Sequence, residues 1–232
     1  MDEAAALKLP VRDRSLTEQV HDALCDMLLG GGLRPEDRTS IRELAERLGV
    51  SAMPVRDAVS RLVAQGALVV ERNRAIKVKL LSADEFRDLT ETRILLERQA
   101  VRKAVARATP HLLATVEDIN ARFVQAMAAG SATDAVQFNM QFHFRLYEAA
   151  GSPTLLHLTT INWLKAGPMI NLDLSQPSRR QRNALSISAH AALLEGLRRG
   201  DADAAADAVE TDIHGTFEYI LKNFVIEKEK GE

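Results

Sequence analysis

The sequence predicts a mainly α-helical protein in two parts. Residues 1–80 form a small unit of helices closed by a two-stranded ribbon, and residues 81–232 form an all-helical bundle of about six helices. Three observations predict this. Apolar residues recur at spacings of three and four along nearly the whole chain, whereas two-residue alternation is confined to residues 68–80. Serine, glycine and proline punctuation cuts everything behind residue 81 into segments of helical length. Hydrophobic residues make up 46% and charged ones 27% of the 232 residues, a balance that suits a globular chain with real cores.

The elements follow in order. Leu16, Val20, Leu24 and Leu28 mark an amphipathic helix. It carries Cys25, the one cysteine, which excludes an internal disulfide and reads as a small buried hydrophobe. Ser40 and Glu43 have capping-box spacing, and Ile41, Leu44, Ala45 and Leu48 share a face before Gly49 ends a short helix. Ser51 can cap the next helix, with Pro54 in its first turn and Val55, Ala58, Val59, Leu62 and Val63 inward until Gly66. Residues 68–71 then read as a strand, and Ile76, Val78 and Leu80 alternate with Lys77 and Lys79 in a second. Arg72, Asn73 and Arg74 lie around the turn, so the ribbon carries four cations and no carboxylate between residues 72 and 80.

Helix, tight turn, helix and basic ribbon in succession make a winged helix-turn-helix, a layout that reads double-stranded DNA. The second helix presents Ser51, Ala52, Met53, Arg56 and Ser60 outward. Small side chains there allow close approach to the major groove, and an arginine can fork onto guanine or clamp a phosphate. The ribbon suits phosphates or the minor groove alongside. A net charge of −2 excludes a general nucleic-acid coat. Residues 1–80 hold 13 basic against 12 acidic side chains, so the positive surface is local to helix and wing.

The stretch RTSIRELAERLGVSAMPVRDAVSRLVAQGALVV with RNRAIKV resembles the DNA-binding domain of the GntR family of bacterial transcription regulators. The resemblance implies that Arg42, Arg56 and the wing residues around Arg74, Lys77 among them, touch DNA, with Ser51 and Met53 at the groove. Two positions depart from the family pattern: Ala52 stands where arginine is usual, and Glu36 follows Pro35 where glycine is usual. A lost bidentate base contact changes discrimination by about 1–3 kcal/mol, so the operator is expected to differ from the family's common one.

Behind residue 81, Ser82 and Glu85 form a second capping box, and Phe86, Leu89, Ile94, Leu96, Ala100, Val101 and Ala104 make the stripe of a long helix reaching about residue 107. Thr109 with Pro110, Gly130 with Ser131, Gly151 with Ser152 and Pro153, Gln176 with Pro177, and Gly200 with Asp201 separate the rest. Such a bundle can enclose a pocket. Asn139 and His143 share a face with Leu146, His190 lies on a stripe with Leu193, Leu194 and Leu197, and Asp212 and His214 flank the last stripe on opposite sides. Polar groups turned into a bundle need partners or an ion.

The segments FRDLTETRILLERQA, NMQFHFRLYEAAGSPTLL and AHAALLEGLRRGDADAA resemble the FCD ligand-binding domain of the FadR subfamily of GntR regulators. The resemblance implies one divalent metal per subunit, held by Asn139, His143, His190 and Asp212, with Asn139 in place of a carboxylate and Asp212 in place of an imidazole. His214, roughly 200° from Asp212 around an ideal helix, is the alternative last ligand. Two imidazoles and one carboxylate remain, a set that leans toward zinc. The competing reading is a metal-free pocket in which the same residues hydrogen-bond the effector. Arg93 matches an arginine of the FCD pattern; it offers a charged fork to a carboxylate, or pairs with Glu97 one turn on, or does both. The implied effector is a small organic acid held by Arg93, His143 and His190.

The expectation is a homodimeric regulator, acting as a repressor on an inverted-repeat operator and modulated by a small carboxylate. Two alternatives stay open: a sensor of the metal itself, and a metal-dependent enzyme acting on the acid. Against an enzyme, the chain has no HExxH pair, nucleophile elbow or CxxC site. No stretch is apolar enough to span a bilayer and the N-terminus lacks a signal peptide's core, so a cytoplasmic protein without a membrane partner is expected.

Overall fold

The computed structural model describes residues 14–35, 37–174 and 180–223; Glu36 and the expected break at Gln176 and Pro177 lie outside them. Helices α1 (Leu16–Leu29), α2 (Ile41–Leu48) and α3 (Ala52–Ala64) precede strands β1 (Leu68–Val70) and β2 (Ile76–Val78). Six helices follow among the described residues: α4 (Ala83–Val105), α5 (Pro110–Ala129), α6 (Ala132–Ala149), α7 (Pro153–Leu174), α8 (Arg180–Arg199) and α9 (Ala202–Asn223).

Local chemistry accounts for the helix starts. Ser15 and Glu18 form a reciprocal capping box at α1, and Ser82 and Glu85 do so at α4. At α2 only half the expected box forms: Ser40 accepts from the Glu43 N–H, while the Glu43 carboxylate takes the Ser40 and Thr39 hydroxyls. Gly49, at φ 66°, makes the left-handed turn that ends α2. Ser51 sits at the N-cap of α3 without a side-chain cap bond.

The burial pattern corrects three sequence readings. Leu16, in the first turn of α1, is exposed, and burial begins at Val20. Val63 lies on the exposed rim of α3. On α4, Ile94 and Leu96 are half-buried whereas Thr90, Arg93 and Glu97 are buried, because α4 turns a polar strip toward a cavity in the bundle.

Strands β1 and β2 pair antiparallel with Leu68 opposite Val78, Val69 opposite Lys77 and Val70 opposite Ile76. They are shorter than expected: beyond Val70 the chain turns, with the Glu71 N–H bonded to the Ala75 carbonyl and the Arg74 N–H to that of Glu71. Thr39 bridges to Ile76 through both backbone bonds, fastening the wing to the start of α2.

One hydrophobic core runs from Leu24, Leu28 and Val55 through Leu164 to Phe86 and Ile213. The junction is α7, which packs on α1. Leu29 lies against Gly167, and Asn171 donates its amide hydrogens to the Leu28 and Leu29 carbonyls at 3.1 and 2.9 Å. A bundle side chain thereby satisfies carbonyls that the end of α1 leaves open. Within the bundle α4 lies against α6, α7 and α9, while α8 packs on α5 and α9. Among the described residues no helix is long and apolar enough to cross a membrane.

Candidate functional site

Two surfaces concentrate the sequence-predicted residues. On the first, α3 buries Val55, Ala58, Val59 and Leu62, which forces Ser51, Ala52, Met53, Arg56 and Ser60 outward. Met53 is 74% exposed, and the Ser51 hydroxyl is not spent on capping. Ser60 is not available in the same way, since its hydroxyl folds back on the Arg56 carbonyl at 2.8 Å. Arg42 is exposed on α2 and paired with Glu46 at 2.9 Å. Arg74 stands exposed at the wing tip with φ 66°, a left-handed conformation that outside glycine crowds the Cβ against the backbone. Lys77 departs from the expected free cation: Glu71, just before the cationic stretch, holds it at 2.6 Å. Lys79 is likewise drawn to Glu85 of α4 at 2.7 Å. The wing's open charges are therefore Arg72 and Arg74 rather than all four.

The second surface is internal. His143 of α6, His190 of α8 and Asp212 of α9 bring three potential metal-ligand atoms within 4.8 Å of one another. The two Nε2 atoms are 3.3 Å apart, and Asp212 Oδ2 lies 3.3 Å from His143 Nε2 and 3.9 Å from His190 Nε2. What stands behind each ring decides the chemistry. Tyr147, four residues after His143, donates its hydroxyl to the Glu97 carboxylate, so its oxygen can accept the His143 Nδ1–H, at 3.1 Å. The Asn120 carboxamide oxygen accepts from His190 Nδ1 at 3.1 Å. In the tautomers that carry their protons on these far nitrogens, two Nε2 lone pairs and a carboxylate face one another. Burial pushes the His190 imidazole down to about 3, helped by His143 against the opposing pull of Asp212. Burial, and then the Glu97 charge, keep the Tyr147 phenol well above its ordinary range.

A divalent cation placed between the two Nε2 atoms and the Asp212 oxygen would draw on all three as ligands. Ligand atoms at about 2.0–2.1 Å on a tetrahedral zinc stand roughly 3.3–3.4 Å apart, which is the spacing of the two Nε2 atoms and of the Asp212 oxygen from His143, while the 3.9 Å between Asp212 and His190 is wider and would close on binding. The donor set therefore fits a divalent metal of zinc's size and ligand preference.

Around this pole the small cavity is walled by Arg93, Asn139, Trp163, Ile170, Ser186 and Thr216, among others. It has about 10 Å³ of free room, close to one water molecule. Of the two roles expected of Arg93, the structure has the pair with Glu97. Arg93 lines the cavity, but its Nε and Nη2 turn to Glu97 at 2.7 and 3.4 Å and its guanidinium lies 4.9 Å over the Trp163 ring, so it is no free fork. Asn139 is buried in the wall. His214 is not an alternative ligand: it is exposed and edge-on to Phe217. Sequence reasoning missed Asn120, Tyr147 and Trp163. Tyr147 was discoverable, lying one turn from His143 on the same face; Asn120 and Trp163 arrive from other helices with no local signal.

Residues 16–78 match the bacterial regulatory proteins of the gntR family, and residues 88–215, more than half of the chain, match the FCD domain. The chain belongs to the GntR family. The HTH-type transcriptional regulator McbR of Escherichia coli (strain K12) is 33% identical over 154 residues, 66% of this chain and 70% of that one. The HTH-type transcriptional repressor NanR of Escherichia coli is 25% identical over 232 residues, 88% of this chain and 84% of that one. A solved structure of E. coli McbR/YncC superposes with a TM-score of 0.83 at 27% identity, covering 91% of this chain and all of that one. These families and relatives are transcription regulators, and so is this GntR-family protein, not an enzyme.

Proposed function

We propose that this GntR-family regulator binds an inverted-repeat operator as a homodimer and is released from it when a small organic acid, together with one divalent metal, fills the FCD cavity. Residues 1–80 serve as the DNA-binding unit and residues 81–232 as the sensing and dimerising unit, acting in the cytoplasm. The DNA contacts are Ser51, Met53 and Arg56 at the major groove, with Arg42 and Arg74 on the backbone and Lys77, held by Glu71, a weaker contact there. One winged helix covers half of an operator long enough to be found in a genome, which is the case for a dimer. The repressor sign is supported by the name of the relative NanR.

The observation that carries the sensing half is the convergence of His143 Nε2, His190 Nε2 and Asp212 Oδ2 with both ring protons held away by Tyr147 and Asn120. Zinc bound there would supply a Lewis-acidic pole for a carboxylate oxygen. Trp163 and Ile170 in the cavity wall and Asn171 on the end of α1 belong to one helix, α7, which supports it as the route from cavity to DNA-binding unit. A metal sensor is the second reading, favoured by a cavity with room for about one water, which an ion alone would fill.

Elemental analysis of purified protein, followed by gel-shift titration on selected operator DNA with zinc alone and zinc plus carboxylic acids, tests both. Stoichiometric metal and an operator affinity that changes only when an acid is added support the main reading. A change with zinc alone supports the second, and no preference for any duplex over random competitor overturns both.

A further inference from the structure

Trp163 is the one tryptophan of the chain, 3% exposed, in the cavity wall contributed by α7. Its indole N–H is buried and has no acceptor among the described residues. Buried N–H groups without a partner are rare in folded proteins, and one in the wall of a binding cavity asks for an acceptor that arrives from outside the chain. The ring itself is not loose. Arg93 lies over it, His143 is tilted against it at 5.3 Å, and Phe144 meets it edge-on at 5.4 Å.

The Tyr147 hydroxyl and two guanidinium nitrogens of Arg93 serve Glu97, and the histidine Nδ1 protons serve Tyr147 and Asn120. The charges narrow the ligand further. Arg93 and Glu97 offset each other, and a divalent ion at the histidine pole would favour an anion as the ligand.

Resting on the cavity reading above, we propose that the indole N–H of Trp163 is a ligand-recognition donor that takes an oxygen of a carboxylate set between the histidine pole and α7. One carboxylate oxygen meets the metal pole and the other meets the indole. The free room is close to that of one water, so a carboxylate head enters beside an ion only as the walls give way, and a larger acid must carry its remaining groups out of this cavity.

Trp163→Phe keeps an aromatic ring against Arg93 and His143 and removes the donor together with part of the ring, so the indole resonance of the wild type is read beside the affinities. Acetate is titrated calorimetrically into zinc-loaded wild type and Trp163→Phe, and in nitrogen-15-labelled wild type the single indole resonance is followed as acetate is added after zinc. The expected result is unchanged zinc affinity, acetate binding weaker by about tenfold in the variant, and a downfield shift of the indole proton with acetate. Equal acetate affinities, or an indole resonance indifferent to acetate in protein that binds it, overturn the proposal and leave the cavity reading standing, with a fixed water satisfying the N–H. Wild type that takes up zinc but no acetate overturns this proposal and leaves the metal-sensor reading, and wild type that takes up no zinc brings down both.

Discussion

Tyr147 and Lys77 show how far a single residue's neighbours redefine it. The Tyr147 hydroxyl ties Glu97 to His143 and thereby fixes which imidazole nitrogen keeps its proton. Partners of this kind typically govern metal affinity by 10–100-fold, so Tyr147→Phe is expected to weaken zinc binding by about that factor in a chelator competition, with the helical circular dichroism unchanged. Unaltered zinc affinity would place the tautomer under other control. Lys77 was readable as a wing cation but not as a neutralised one, because its carboxylate partner Glu71 stands just before the cationic stretch and meets it only when the ribbon closes. Hence Arg56→Ala is expected to lower specific operator affinity by tenfold or more, and Lys77→Ala by much less, in gel-shift titrations of folded dimers. Equal losses would show that the Glu71 pair opens on DNA. His143, His190 and Asp212 were legible because each lies beside a helical stripe; Asn120 and Trp163 were not, since packing between helices, rather than spacing along one, brings them to the cavity.

Among elements, the legible signals were those that act within one or two turns. Thr109 with Pro110, Ser82 with Glu85 and Gly130 start or stop helices through bonds to their own backbone, and the structure has them in those roles. Ile94 and Leu96 were misjudged because hydrophobicity alone cannot say that α4 faces a polar cavity, and Arg93 and Glu97 take the interior instead. The α8–α9 contact was invisible in the same way. Gly196 lies so near Ala205 that a Cβ would stand 2.7 Å from its backbone nitrogen and 2.9 Å from its Cα. Backbone cannot yield as a flexible side chain does, so Gly196→Ala must push the helices apart. The expected cost is about 1–3 kcal/mol in urea unfolding, accompanied by weaker zinc binding because His190 and Asp212 sit on the two separated helices. A variant of wild-type stability would mean that the helices slide past one another without loss.

For the whole molecule the question is how a cavity of one water's size can govern a DNA-binding surface. Helix α7 offers a rigid answer: Trp163 and Ile170 stand in the cavity wall, while Gly167 and Asn171 hold the end of α1, whose buried face packs on the recognition helix α3. If occupancy displaces α7, the Asn171 bonds carry the displacement into α1. Asn171→Ala removes them and leaves the cavity's own residues in place. In wild type, zinc with an organic acid is expected to change operator affinity by about 5–150-fold, the usual range of such coupling. Linkage requires operator DNA to change the acid's affinity by the same factor. In Asn171→Ala both factors should fall toward one together, while zinc content and dimer mass stay as in wild type. Full coupling in the variant would exclude α7 as the route, and a wild-type pair of factors that disagree would exclude a simple linked equilibrium, whatever helix carries it.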